Sequence, residues 1–317
     1  MALKKVSVSE IENVAEEKAF GVELQQGTVA VRFGKRTLGI RRTLDDVQTK
    51  QAAAPFDADR RYLSARKRLV DTNHKAWRKV THLMYGATQY WGLMTVAYPI
   101  KGIRLLNRND VDEFEKRMGV FAADLDAACK ELQEVYGSIR EVARKGLGDL
   151  YNVHDYPESV VGEFGIEWDY PSVSPPEYLK QLNPALYQRE CERVAKRFDE
   201  AVEMAEAMFA TQLQDLVDRL IERLQPAEAG KKRVLKEALV DGFQDFIVRF
   251  KQLNIGSNAQ LDSVVSTCEQ LMAGVDVKAL RKDGEKRNQM AEALSAVKAT
   301  LDTLVVDQPE RAFAFDE

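Results

Sequence analysis

A mostly α-helical fold is predicted, on three observations: two long stripes of apolar residues at helical spacing, shorter helical segments after them, and one brief stretch of period two near the N-terminus. The first stripe is Phe114, Met118, Phe121, Leu125, Ala128, Leu132, Val135, Ile139 and Val142; the second is Val194, Phe198, Val202, Ala205, Phe209, Leu213, Leu216, Leu220 and Leu224. Both advance by steps of four and three, the heptad pattern of helix packed on helix. The expected architecture is therefore a long antiparallel helical hairpin, coiled-coil-like, with a small N-terminal β-hairpin or meander and a C-terminal helical cluster.

Residues 1–19 are polar from about Lys4 to Glu17 and read as an arm or a short marginal helix. Residues 20–56 hold the small β element and a linker. Val22 and Leu24 flank Glu23, and Val29, Val31 and Phe33 alternate with Ala30 and Arg32, with a turn expected at Gln25-Gln26-Gly27. Thr37 to Ile40 is a third candidate strand. Residues 57–108 comprise a basic helix, with Tyr62, Leu69, Ala76, Val80 and Leu83 as its stripe, Asp57 as cap and Gly86 as stop. A turn-rich segment with Gly86, Gly92, Pro99 and Gly102 follows.

Residues 109–227 form the expected hairpin, opening on Asn109 and Asp112, which resemble a capping box. Its second helix starts at Asn183-Pro184, a cap with proline in the first turn. Each long helix would span about 60 Å at 1.5 Å per residue. Between them, 151–183 carries Pro157, Pro171, Pro175 and Pro176 and is an aromatic, proline-rich tip. Pro226 and Gly230 close the hairpin. In 228–306 helices are expected over about 231–253, 257–272 and 276–304, and 307–317 is a loose tail with Phe313 and Phe315 as a docking peptide.

The formal net charge of −4 conceals a polarity. Residues 1–108 hold 20 Lys and Arg against 10 Asp and Glu, whereas 109–317 hold 26 against 40. Mutual attraction of the two halves, within the chain or between subunits, needs no external partner and is the expected use of this polarity. A nucleic-acid partner for the basic part is the alternative. No window approaches the roughly 18 uninterrupted apolar residues of a membrane span. Met1 to Ser7 leads into charge without an apolar signal region, so the expected location is cytoplasmic.

Little in the sequence points to chemistry. His74 and His82 are eight residues apart, too far for a helical chelating pair, and His154 stands beside Asp155 alone. Cys129, Cys191 and Cys268 occur singly and read as small core hydrophobes rather than a disulfide framework. Gly34-Lys35-Arg36-Thr37 fails as a phosphate loop, because Arg36 separates Lys from Thr and a strand-like segment follows where a helix is required. Glu131/Glu134 and Asp215/Asp218 read as solvated helix faces. No catalytic, cofactor-binding or metal-ligating residue is assigned, and no cofactor is expected.

Two surfaces stand out instead. Arg60, Arg61, Arg66, Lys67, Arg68, Lys75, Arg78 and Lys79 on one helix would track phosphates, with Tyr62 or Trp77 stacking on bases. Tyr156, Phe164, Trp168 and Tyr170 in the connection would either fill a cap or form a protein-binding hot spot at the tip.

The run Val29 to Leu38, with its aromatic-Gly-basic-basic-x-Leu pattern at Phe33 to Leu38, resembles the start of a family of bacterial, phage and plasmid proteins known as a domain of unknown function. The likeness continues through the basic helix, Ala97-Tyr98-Pro99-Ile100, the helix from Phe114, and Val160 and Phe164, covering about residues 20–304; Phe33 departs from the expected Trp. The resemblance implies a companion of AAA-type ATPases of the MoxR or cobaltochelatase-subunit kind, with a von Willebrand A-domain protein encoded nearby. The expected function is a non-enzymatic adaptor or scaffold. Alternatives are nucleic-acid association through the basic helix and self-assembly as a structural protein of a phage particle, with homo-oligomers as a further possibility.

Overall fold

The computed structural model describes residues 24–225, 235–253 and 259–306; the arm, the turn at Pro226 and Gly230, and the tail with Phe313 and Phe315 lie outside them. In chain order the first elements are β1 (Thr28–Arg36), β2 (Arg41–Thr43), α1 (Asp46–Ala53), β3 (Arg66–Arg68), α2 (Lys75–Met94), β4 (Thr95–Ala97) and β5 (Ile103–Asn107). Then come α3 (Val111–Leu147), β6 (Gly165–Asp169), α4 (Tyr178–Leu182), α5 (Pro184–Leu224), α6 (Glu237–Leu253), α7 (Ala259–Met272), α8 (Val277–Lys282) and α9 (Gly284–Val306). The fold is mostly α, as expected. The chain divides into two units: residues 1–31, 93–109 and 170–317, and residues 32–92 and 110–169.

In the first unit α5 begins where Asn183 and Pro184 place it, the Asn183 side chain accepting from Leu186 N at 3.0 Å. Its stripe, Val194 to Leu224, packs with the apolar faces of α6, α7 and α9 into one core. Phe209, Phe246 and Phe250 form an aromatic cluster there, Phe209 standing edge-on to Phe250 at 5.1 Å between centroids. Side-chain contacts bind α5 to α9: Gln214 donates to Asp302 at 2.6 Å and Lys298 to Asp218 at 2.5 Å. The last expected helix is broken into α8 and α9 at Asp283, whose carboxylate accepts from Glu285 N and Lys286 N. β4 and β5 are an unforeseen antiparallel pair, turned at Gly102 with φ of 80°. Arg104 on β5 donates to the Thr95 hydroxyl and carbonyl; burial, with Arg249 nearby, lowers its pKa to about 10.

In the second unit α2 and α3 share a core of Trp77, Val80, Met84, Leu125, Leu132, Tyr136 and Ile139. The stripe on α3 is largely as expected, but Val142, its expected last member, is exposed. α2 runs through Gly86 and Gly92 instead of stopping at the first. A Cβ on Gly86 would stand 3.2 Å from the Phe121 ring, so the missing side chain lets α3 approach closely. The two long helices, expected to share one hairpin core, contribute their stripes to separate ones. A stripe specifies which face is buried and leaves its partner open.

The N-terminal β element also differs from expectation. Residues 24–27 are helical, with the Thr28 hydroxyl donating to Leu24 O, and residues 37–40 are not a strand. β1 extends through both units: Thr28–Val31 belong to the first and Arg32–Arg36 to the second, where they pair antiparallel with β6. β6, one of the two strands that flank β1, is thus more than a hundred residues away in sequence, which local alternation cannot announce. Among the described residues no helix is long and apolar enough to cross a membrane.

Truncating Phe209 to Ala should cost about 3–5 kcal/mol, read from denaturant midpoints, because it opens the aromatic cluster. Burial pushes the Cys268 thiol up to about 12 from 9.0. A folded-state value above the unfolded one gives stability that is complete below the unfolded value and lost as pH climbs through the folded one. The melting temperature should therefore fall from pH 9 toward pH 12, and Cys268→Ala should flatten that part of the profile.

Candidate functional site

The expected basic helix does not exist as one element. Asp57 adopts a left-handed conformation, φ 48°, residues 60–62 form a single 3-10 turn, and 66–68 are β3. β3 pairs antiparallel with β2: Arg41 lies opposite Arg68, Arg42 opposite Lys67 and Thr43 opposite Arg66. Five of these six residues are basic. Backbone bonds extend the ladder at both ends, Leu69 N to Ile40 O at 2.8 Å and Leu44 N to Ala65 O at 3.0 Å. Apolar residues flank both runs, and Ile40 and Leu69 pack with the core of the second unit.

Period two then sorts the charges. Arg42 and Lys67 face one way, with Ile40, Leu44, Ala65 and Leu69; Arg41, Thr43, Arg66 and Arg68 face the other. The inner face is neutralised. The Lys67 side chain, 8% exposed, donates to Leu150 O at 2.7 Å and lies 2.7 Å from an Asp155 carboxylate oxygen, a charge contact rather than an aligned hydrogen bond. Arg42 approaches the other Asp155 oxygen at 4.0 Å. On the outer face Arg41, Arg66 and Arg68 are exposed, and among the described residues none has a carboxylate at ion-pairing distance.

The segment after α3 holds this ribbon in place. Its Tyr156 hydroxyl donates to Leu69 O at 2.7 Å, one residue past β3, and its ring stacks on Tyr151 at 5.1 Å. Burial, reinforced by Tyr151 and Asp155, raises the Tyr156 phenol to about 12, so the donor stays protonated. Tyr156 and Phe164 are thus core residues, and the expected contact tip loses both. Phe164 meets Trp77 edge-on at 5.3 Å. Trp168 is half-buried in β6, its indole donating to Glu115 at 2.6 Å; Tyr170 is exposed and falls in the first unit.

The other basic residues scatter. Arg61 pairs with Asp59, and Lys79 with Glu131 at 2.7 Å. Lys75 and Arg78 are exposed on α2, and the Arg60 side chain lies outside the described residues. Trp77 is buried and unavailable for stacking, whereas Tyr62 is 89% exposed. Sequence reasoning missed Arg41 and Arg42. Their signal was the shared pattern of Ile40 to Leu44 and Ala65 to Leu69, two short basic runs each closed by apolar residues four apart.

Removing the charge of Asp155 should strand the Lys67 ammonium. We expect Asp155→Asn to cost about 2–4 kcal/mol, less than for a fully buried pair because the carboxylate keeps some solvent access. The Lys67→Met/Asp155→Asn double variant should cost less than the sum of the two single changes, measured as a double-mutant cycle of unfolding midpoints. Scans of protein-family models, curated proteins and solved structures found no match to the chain.

Proposed function

We propose that the chain is a non-enzymatic adaptor or scaffold of the cytoplasm. It would partner an AAA-type ATPase of the MoxR kind, with or without a von Willebrand A-domain protein, in a phage, plasmid or bacterial machine. The observation that carries this reading is the pair of separately cored units, each built around a very long helix, of 37 residues in α3 and 41 in α5. At 1.5 Å per residue these are rods of about 55 and 60 Å. One face of each rod is spent on its core. The other carries charge, such as Lys116, Lys130 and Glu134 on α3 and Arg189, Glu192 and Lys196 on α5, all exposed. Such faces suit polar, reversible contacts better than permanent ones. The family resemblance supplies the ATPase as the partner.

The test is reconstitution of the full chain with an AAA-type ATPase of the MoxR kind. Co-elution in size-exclusion chromatography and a changed rate of ATP turnover are the expected results. Separate elution with unaltered turnover would remove the reading.

A further inference from the structure

The outer face of the β2–β3 ribbon presents an electrostatic problem. Arg41 and Arg68 are directly opposed, and like charges in that relation destabilise a ladder. The backbone bonds at Ile40/Leu69 and Leu44/Ala65 place the hydrogen-bonded pairs at alternate positions, so Arg41/Arg68 and Thr43/Arg66 are non-hydrogen-bonded pairs. Their Cα atoms therefore approach to about 4.5 Å, the closest cross-strand separation available. The inner-face charges find Asp155; among the described residues the outer ones meet no carboxylate. Three guanidiniums on one small face make an anion site whose natural occupant carries several negative charges at short intervals.

A second observation narrows the occupant. Residues 44–65, which connect the two strands, carry Phe56 and Tyr62, 80% and 89% exposed. Phe56 ends a 3-10 turn that runs on from α1, and Tyr62 ends the next. Tyr62 is four residues from Arg66, at most about 14 Å along an extended chain. Exposed aromatic rings beside a cationic track are how proteins hold single strands without reading sequence: guanidiniums follow the phosphates while unpaired bases stack on the rings. In a duplex the bases are already stacked and offer those rings nothing.

We propose that the outer face of the ribbon binds single-stranded nucleic acid. Arg41, Arg66 and Arg68 contact phosphates, Thr43 sits beside them, and Phe56 and Tyr62 stack on bases. The site lies within the second unit and acts without any ATPase, so its success or failure is independent of the adaptor reading.

Fluorescence anisotropy of the full chain with a labelled deoxythymidine oligomer of about 15 nucleotides, and with a duplex of equal length, tests this at about 50 mM salt. Arg41→Gln/Arg66→Gln/Arg68→Gln should weaken single-strand binding at least about tenfold and reduce the log–log salt slope by about two, three phosphates at about 0.7 each. Because it relieves like-charge repulsion, this variant should melt no lower than the unaltered chain, which separates lost binding from lost folding. Phe56→Ala/Tyr62→Ala should weaken single-strand binding about fivefold or more, leave the salt slope unchanged and leave duplex binding as it was. A control of equal charge loss, Lys101→Gln/Lys145→Gln/Lys180→Gln on exposed positions elsewhere, should weaken binding far less. No single-strand binding by the unaltered chain would overturn the proposal. So would equal losses in the control and ribbon variants, or an aromatic variant that binds the single strand as well as before.

Discussion

A single buried ammonium sets how the second unit is organised. Lys67 lies at the centre of β3 with its side chain almost fully covered, and a charge so placed must find a carboxylate and acceptors or cost several kcal/mol. Asp155 and the Leu150 carbonyl supply them, so the segment that follows α3 has to return to the ribbon. Tyr156 then caps the end of β3 from the same segment. Strand geometry does the rest. With Lys67 turned inward, its neighbours Arg66 and Arg68 are obliged to point out, and the register with β2 carries Arg41 out beside them.

The charge polarity of the chain acquires a definite meaning on this basis. Within the second unit, residues 32–92 hold 14 basic and 5 acidic residues, and residues 110–169 hold 6 and 15. The two parts cancel, and the cancellation is made by contacts that cross between them: Arg32 with Asp169, Arg42 and Lys67 with Asp155, Lys79 with Glu131. Mutual attraction and an external anion are therefore not rival uses of the same charges. The inward and helix-borne cations serve the first. The outer face of the ribbon stands apart from those pairings.

Where the sequence was legible, the reason is local. Asn183-Pro184 announced the start of α5 because a cap and a fixed φ act within one turn. The stripes on α3 and α5 were visible because burial of one helical face leaves a period. What failed to show depends on pairing across distance. The ribbon joins Arg41–Thr43 to Arg66–Arg68 across an excursion of more than twenty residues, and β1 meets β6 across a far longer one. Gly86 read as a helix stop because its tertiary role, room for Phe121, leaves no mark on the residues around it. In the candidate site, Arg66 to Arg68 were conspicuous as a run, while Arg41 was hidden by its distance in sequence from the residues it joins.

The aromatic residues divide along the same line. Tyr156, Phe164 and Trp77 are equal to Tyr62 as surface candidates in sequence, since an aromatic residue in a polar neighbourhood carries no sign of its burial. Structure gives the first three to the core, where Trp77 and Phe164 meet edge-on and Tyr156 binds Leu69. Among the described residues Phe56 and Tyr62 have no such employment. Both sit in the excursion that the ribbon closes, and that excursion is tied down at its ends by the Leu44–Ala65 bond and by the capping box at Asp45 and Gln48. Two large apolar side chains held out on an ordered segment give up the roughly 1.5–3 kcal/mol each that burial would return. On the segment that joins the two strands carrying three outward guanidiniums, that forgone stability is better understood as surface kept for a partner than as a failure of packing.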